Sequence, residues 1–454
     1  MQLRRWLVPG MGIKRWLGLV FAGLLLLALA GAQFLRQVTR DLQPGGFGQT
    51  VVDLVTLQFL PFAVRGLIIA IVGIAMVVIG GYRVLLAITG PLRAAEDQPL
   101  VEVIYQKRFL ARGPRVVAIG GGTGLSTLLR GMKEHTSNLT AIVTVADDGG
   151  SSGTLRDELG IPAVGDIRNC IAALADAEPL MSELLGYRFP GGHQPVGEPG
   201  PIETEPGGLG GHAIGNLLIA ALTAVEGGDF EQAVRTMNRV LAVRGRVVPA
   251  SPTPITLHAR TRNGVIVSGQ SSVGREPAVE RVWITPQDVA ASNDALVAIA
   301  DAEIIVIGPG SLYTSVLPVL LIPEIRDAVA AASAIRIYVC NVATQVGETA
   351  GYDLADHIEA LVAHTSPGIV DLALANDRFD AQTPAEWHAE PVKLRWPPAV
   401  DPVPHLATDD VVDPANAHHH ESARLAAAVL RACELEAAAR RPRRGLRPGQ
   451  ARSA

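Results

Sequence analysis

The chain has 454 residues, of which 48% are hydrophobic, and a formal net charge of −5; this is enough for one large α/β domain with additions, or for two to three average domains. The negative charge argues against a nucleic-acid-binding protein, which would normally carry a basic face. The three cysteines, Cys170, Cys340 and Cys433, are far apart and odd in number, which is typical of reduced thiols and not of a disulfide framework or a zinc site.

Two uncharged apolar runs lie near the N-terminus, over residues 16–32 and 66–82. Each is close to the shortest length with which a helix crosses a bilayer. For the first run a cleaved signal peptide is the alternative, because Ala28-Leu29-Ala30 resembles a processing site. Basic residues are concentrated after the second run, so the positive-inside rule places the rest of the chain in the cytoplasm. We therefore predict a membrane anchor over residues 1–91, and a cell-membrane protein with a cytoplasmic C-terminal domain.

A polar connector over residues 92–113 leads to a region, 114–435, in which short apolar strands alternate with helical patterns. This alternation predicts βαβ units and a doubly wound, mostly parallel α/β sheet. The predicted strands after the first are 141–146, 304–307 and 335–339, and the predicted helices include 167–177 and 214–225. Asn263-Gly264, inside the alternating segment 255–270, predicts a β-hairpin. Residues 436–454 are rich in Arg, Pro and Gly towards their end and are predicted to be a disordered tail.

A run of glycines breaks the first strand and opens a helical pattern. A strand that turns into a helix brings free backbone N–H groups and the positive end of the helix dipole to one point. The dinucleotide fingerprint would need a glycine where Leu125 stands, and the P-loop would need a Gly-Lys-Ser/Thr ending that is absent. We predict a nucleotide-phosphate site, with a tight turn that binds nothing as the alternative. Its residues are Gly120, Gly121, Gly122, Thr123, Gly124 and Leu125.

Two adjacent acids, Asp147 and Asp148, follow the second predicted strand. In dinucleotide-binding folds an acid at this place binds a ribose hydroxyl. Two acids followed by a Gly/Ser loop could instead hold Mg²⁺ beside a phosphate, since this cation prefers carboxylate oxygens. The third interpretation is a turn in which Asp148 satisfies backbone donors.

Further polar residues precede helices or follow strand ends. Asp166 is a candidate helix N-cap, and Arg168 could face an anionic ligand. His212 could be a general base or a hydrogen-bond donor, although a lone histidine is more often structural. Since ligands bind at the carboxyl edge of open α/β sheets, we predict one shared cleft. Its candidate ligand-binding residues, beyond the glycine turn, are Ser151, Ser152, Asp166, Arg168, Asn169, His212, Asn216, Gly308, Gly310, Ser311, Asn341, Thr344 and Gln345.

A histidine triplet, residues 418–420, stands before the last helical pattern. Histidine runs in this position are more often solvated than metal-binding, so we predict solvated side chains, with a metal site as the alternative.

Several motifs in order resemble the gluconeogenesis-factor (YvcK-like) family, which is related to the CofD-like 2-phospho-L-lactate transferases of coenzyme F420 synthesis. They cover about residues 115–430 and include GGGTGLS from Gly120, TVADDGGSSG from Thr144, GDIRNC from Gly165, GHAIGNLL from Gly211, GPGSLYTSVLP from Gly308 and YVCNVATQVGETAGY from Tyr338. The resemblance implies a Rossmann-like nucleotide-binding domain, UDP-sugar ligands, and a role in morphogenesis and envelope synthesis on gluconeogenic carbon sources.

The related transferases join a phospholactyl group to a deazaflavin alcohol, with Mg²⁺ near the acidic motif. If this chain were such a transferase, Asp147 and Asp148 would be its catalytic and metal-linked pair. The leading hypothesis is a membrane-tethered cytoplasmic regulator that binds a UDP-sugar and has no nucleic-acid partner. The expected partners are the membrane, envelope-synthesis proteins and further copies of the chain. A Mg²⁺-dependent phospholactyl transferase is the alternative, and a nicotinamide dehydrogenase, resting on Asp147 alone, is the third hypothesis.

Overall fold

The computed structural model describes residues 109–176, 178–190, 208–276, 279–379 and 389–440, with the isolated residues 24, 28, 61 and 64. The chain divides into two compact units, Met1–Phe109 and Leu110–Ala454, and nearly all described residues belong to the second. The two predicted membrane segments lie almost entirely outside the described residues. Among the residues described, no helix combines the length and the apolar character that crossing a bilayer requires.

The described part of the second unit alternates between strands and helices. Its strands are β1 (Val116–Gly120), β2 (Leu139–Val143), β3 (Arg246–Pro249), β4 (Thr256–Thr261), β5 (Ile266–Ser268), β6 (Val279–Thr285), β7 (Ile304–Ile307), β8 (Ile335–Val339), β9 (Leu372–Asn376), β10 (His405–Asp409), β11 (Val412–Asp413) and β12 (Asn416–His420). Its helices are α1 (Gly122–Met132), α2 (Gly150–Leu159), α3 (Gly165–Leu174), α4 (Glu178–Gly186), α5 (Ile214–Val225), α6 (Phe230–Val240), α7 (Gln270–Val273), α8 (Asn293–Asp301), α9 (Leu317–Leu320), α10 (Pro323–Ala331), α11 (Leu354–His364) and α12 (Ser422–Arg440). A π-helical turn, Leu312–Val316, precedes α9.

The central sheet has seven strands in the order β10-β9-β8-β7-β1-β2-β3, and every neighbouring pair is parallel. This confirms the predicted mostly parallel α/β sheet. β1, β2, β7 and β9 are buried along their whole length, as expected when helices cover both faces of a parallel sheet. Their apolar side chains form one continuous core with those of the surrounding helices.

The strand order changes direction at β1. From β1 the chain adds β2 and β3 on one side, whereas β7 pairs with the other edge of β1 and the later strands follow outward from it. In open α/β sheets, ligands bind outside the carboxyl ends of the strands at such a switch point. A ligand is therefore expected at the turns that follow β1 and β7.

Two smaller sheets flank the central one. The antiparallel sheet β5-β4-β6 contains the predicted hairpin: Gly264 adopts φ +79°, and Thr261 N–H donates to Val265 O. The second small sheet pairs β11 with β12 and leads directly into α12.

Several predicted boundaries differ from those observed. β2 ends at Val143, short of the predicted Ala146. It ends there because its neighbour β1 ends at Gly120, so the residues after Thr144 have no β1 residues to pair with. α3 begins at Gly165, before the predicted start, because Ser152 Oγ accepts hydrogen bonds from Val164 and Gly165 N–H. α12 continues to Arg440, past the predicted start of the tail at 436, where its side chains pair with Asp371 and His405 of the central sheet region.

The C-terminal helix packs closely on the helix of the glycine turn. A Cβ placed on Gly131, in α1, would lie 2.0 Å from the carbonyl oxygen of Ser422, in α12. Only glycine permits this approach, since real Cβ contacts under 3.0 Å essentially never occur. Because α12 begins two residues after β12 ends, the packing also holds the β11–β12 hairpin near α1.

Candidate functional site

A cavity of about 220 Å³ lies at the carboxyl edge of the sheet, over the switch point. Four segments that are distant in sequence line it. They contribute Gly121, Gly122, Thr123, Gly124 and Thr127 after β1; Gly310, Ser311 and Ser315 after β7; Asn341, Val342, Ala343 and Gln345 after β8; and His418, His419 and His420 in β12.

The first wall of the cavity is the N-terminus of α1. Its N-cap residue, Gly121, has no side chain to cap the helix, and the first turn contains no acid. The first N–H groups of α1 lie at the positive end of the helix dipole, and the N-cap residue itself caps none of them, although the Gly122 main chain donates to the carboxyl of Asp166. Gly122 adopts φ +65°, which favours glycine. This wall has the features of a phosphate site.

The turn after β7 meets the glycine turn directly. A Cβ on Gly124 would lie 2.8 Å from Pro309 O and 3.0 Å from Gly310 Cα. Both are backbone positions, so neither can rotate away from an added side chain. The two turns on either side of the switch point thus touch main chain to main chain.

Two predicted ligand-binding residues join the cavity walls to one another. Asn341 Nδ2 donates to Gly310 O at 3.0 Å, and Gly310 N–H donates to Asn341 Oδ1 at 3.2 Å. Gln345 Nε2 donates to Ser311 Oγ at 2.7 Å. The turn after β8 therefore positions the turn after β7, and a direct contact with ligand by these amides stays a prediction.

Directly behind the glycine turn lies a pair of carboxylates, Asp147 and Asp166. A Cβ on Gly121 would lie 2.4 Å from Asp166 Oδ2, and one on Gly165 would lie 2.8 Å from Asp147 Oδ2. Asp166 Oδ2 is buried and has no hydrogen-bond partner among the described residues. Burial first, and then the charge of Asp147, raise the pKa of Asp166 to about 7. A hydrogen bond from the Gly122 main chain and the charge of Arg168 act in the opposite direction.

This arrangement corrects one expectation and agrees with one interpretation of the acidic motif. Asp166 is not the N-cap of α3: the cap position is Val164, without a side-chain cap, and Ser152 supplies the acceptor. Asp148 Oδ1 accepts from Ser271 N–H at 2.8 Å, in α7. Asp148 satisfies a backbone donor, as the third interpretation of the acidic motif had it, although the donor lies in a distant segment.

Carboxylates are the natural ligands for a divalent cation here. The described residues contain no group of three or more His, Cys, Asp or Glu side chains arranged to hold a metal ion. Mg²⁺ commonly needs only one or two carboxylates, with water and substrate phosphates completing its shell. Asp147 and Asp166 could supply two carboxylates, since the charge of Asp147 acts on Asp166, and the pair Asp147 and Asp148 stays a prediction.

A polar network continues from the acids towards α5. Ser151 Oγ accepts from Asn216 Nδ2 at 3.0 Å and lies 3.1 Å from His212 Nδ1. The same oxygen accepts from Ala213 N–H at 3.4 Å, so Ser151 connects α2 to the start of α5. Arg168 donates to the side-chain oxygens of Asn169 and Asn216.

The remaining predicted residues lie at the edge of the site or in the core. Gly120 and Gly308 end or follow their strands beneath the cavity. Leu125 is fully buried in the core. Thr344 exchanges hydrogen bonds with Glu390 through its N–H and Oγ1 and does not line the cavity. The structure thus gathers the predicted residues at one edge of the sheet, as a cavity and a polar network that meet at Gly121.

The family model for 2-phospho-L-lactate transferase CofD matches residues 116–398. The chain belongs to the CofD family. Its relatives include the gluconeogenesis factor of Halalkalibacterium halodurans, 48% identical over 282 residues, which cover 61% of this chain and 83% of that protein. The gluconeogenesis factor of Bacillus subtilis is 47% identical over 268 residues, 59% of this chain and 80% of that protein. The family resemblance of the sequence motifs is confirmed.

A solved structure has the same fold as this CofD-family chain. The crystal structure of protein BH3568 from Bacillus halodurans superposes with a TM-score of 0.62 at 43% identity, over 70% of this chain and all of that one. The similarity supports the Rossmann-like α/β architecture.

Two features of this CofD-family site escaped the sequence analysis. The prediction of solvated histidines is wrong for His420, which is buried and whose Nε2 donates to Cys340 O at 3.2 Å. Glu348 is also buried and accepts from Tyr313 N–H and Thr314 Oγ1, in the π-helical turn that carries Ser315 to the cavity. Neither had a signal in the sequence, because each partner lies on a separate segment.

Proposed function

We propose that this chain binds a nucleotide sugar of the UDP-sugar type and regulates carbon metabolism and envelope synthesis. The observation that supports this best is the cavity at the switch point. It combines the N-terminus of α1, whose N-cap residue has no side chain, with a second glycine turn and three histidines, which is a suitable environment for the phosphates of a nucleotide. The gluconeogenesis factors among its relatives are named for a role in carbon metabolism, and we extend that role to this chain.

We further propose that the runs at 16–32 and 66–82 tether the protein to the cell membrane, with the nucleotide-binding domain in the cytoplasm. Their lack of charge and the basic residues that follow the second run support this. Envelope-synthesis proteins and further copies of the chain are its proposed partners.

Thermal unfolding of the purified protein tests the ligand. A nucleotide sugar that binds only the folded state should add about 2.7 kcal/mol to the free energy of unfolding at a hundredfold excess over its Kd. We expect UDP-N-acetylglucosamine or UDP-glucose to raise the Tm in a concentration-dependent manner, and free glucose to leave it unchanged. If no nucleotide or nucleotide sugar moves the Tm, the proposed function is wrong.

A Mg²⁺-dependent phospholactyl transferase is the second candidate. The carboxylates of Asp147 and Asp166 behind the phosphate turn favour it, because a cation there could neutralise charge on a transferred phosphoryl group. The discriminating assay offers nucleotide-activated phospholactate and the deazaflavin alcohol. Turnover that depends on Mg²⁺ and is lost in Asp147→Asn would favour the transferase over the regulator.

A further inference from the structure

We propose that His418 and His419 bind the second phosphoryl group of a diphosphate ligand, opposite a first phosphoryl group held by the N-terminus of α1. This inference rests on the proposed nucleotide-sugar function and deepens it, because it names the part of the ligand that the histidines recognise. It assigns a binding role to a segment, β12, outside the central sheet.

The histidines differ from the rest of the described cavity lining in being titratable. That lining consists of glycine, alanine, valine and neutral polar side chains, apart from the histidines. Among these described side chains, only the imidazoles are titratable, and a neutral imidazole still donates one hydrogen bond. Burial, and then the neighbouring His419, lower the pKa of His418, so we expect it to act as a hydrogen-bond donor. A ligand with two linked phosphoryl groups offers more acceptor oxygens than the helix N-terminus alone can bind, so the histidines are the natural second site.

The β11–β12 hairpin is held in place by contacts on both of its sides. β12 contacts α1, and the close packing of Gly131 on Ser422 fixes the start of α12 immediately after it. On the other side, His420 donates to Cys340 O, next to Asn341 in the turn after β8. His420 is thus a positioning residue, and burial lowers its pKa to about 4, so it is neutral near pH 7.

The other two histidines are more accessible. His419 is exposed and His418 is half-buried, and both line the cavity with the glycine turn. The volume of about 220 Å³ is below the roughly 300–1,000 Å³ of pockets that enclose drug-sized ligands. The cavity therefore fits the phosphoryl groups of a nucleotide sugar, while its base and sugar extend along the rim.

The experiment compares two ligands that share a base and differ in one phosphoryl group. Isothermal titration of the full-length chain with UDP and with UMP measures both affinities. We expect wild type to bind UDP at least tenfold more tightly than UMP. His418→Gln/His419→Gln should lose at least tenfold in UDP affinity and keep its UMP affinity within twofold.

The control is His135→Gln, an exposed histidine just after α1 ends, which should match wild type for both ligands. The single variant His419→Gln removes only an exposed side chain, so it should fold normally and still lose at least threefold for UDP; it decides the question if the double variant does not fold. Unchanged UDP binding in these variants, or equal losses for UDP and UMP, would overturn the inference while leaving nucleotide binding intact. If wild type binds neither ligand, the proposed function fails and this inference fails with it.

Discussion

Gly124→Ala should reduce nucleotide binding by at least tenfold and lower the free energy of unfolding by about 1–3 kcal/mol, the usual range for overpacking. In an ordinary helix the same change would stabilise by roughly 0.5–1 kcal/mol. Here the new methyl group would lie 2.8 Å from Pro309 O, so it must separate the turns after β1 and β7. Urea unfolding and titration with UDP would measure both effects.

Gly186→Ala is the matched control for this change. Gly186 ends α4, and a Cβ there would meet no heavy atom within 4 Å. We expect its stability and nucleotide affinity to stay near those of wild type. If Gly124→Ala binds UDP within twofold of wild type, the close approach of the two turns does not shape the cavity.

As the pH rises from about 4 to about 7, the metal-free wild type should lose stability relative to the metal-free Asp166→Asn variant. The pKa of the Asp166 carboxyl is 3.8 in its ordinary state and about 7 in the fold. Between these values the folded protein keeps a proton that the unfolded chain has released, so the contribution of this carboxyl to the free energy of unfolding falls with rising pH. At about 1.4 kcal/mol per pKa unit, the full loss approaches roughly 4 kcal/mol.

Urea unfolding in EDTA at several pH values between 4 and 8 measures this loss. Asp166→Asn has no carboxyl to titrate at this position but keeps the other groups, including His420, whose lowered pKa makes stability rise over the same range. The stability of wild type minus that of Asp166→Asn should therefore fall by this amount. Asp157→Asn, at an exposed position in α2, should keep the wild-type slope. Parallel curves for wild type and Asp166→Asn would show that Asp166 titrates normally.

Local sequence patterns predicted the elements that form the sheet edge. The predicted helix 214–225 and the strands 304–307 and 335–339 coincide with α5, β7 and β8. Each is a continuous or periodic apolar segment bounded by small or polar residues, so burial and local propensity favour the same structure. The clustering of turns at one edge could also be predicted, because the carboxyl ends of parallel strands all lie at the same edge of a sheet.

The contacts within the site could not be predicted in this way. Aspartate is a residue type that often caps helices, but the carboxyl of Asp166 lies behind Gly121. Ser152, in the preceding helix, provides the acceptor at the start of α3 instead. Asp148 finds its donor at Ser271, and His420 finds its acceptor at Cys340. These partners are far apart in sequence, and neither spacing nor composition indicates which of them will meet.

The position of β1 has a consequence for synthesis on the ribosome. Its two neighbours in the sheet are β2, which follows soon after, and β7, which pairs Val116 with Ile304. Until β7 has left the ribosome, one edge of the buried strand β1 has no partner, and unpaired strand edges tend to pair with other chains. Newly made chains interrupted between residues 250 and 300 should therefore be the species that most need a chaperone, and they would also lack three of the four walls of the nucleotide cavity.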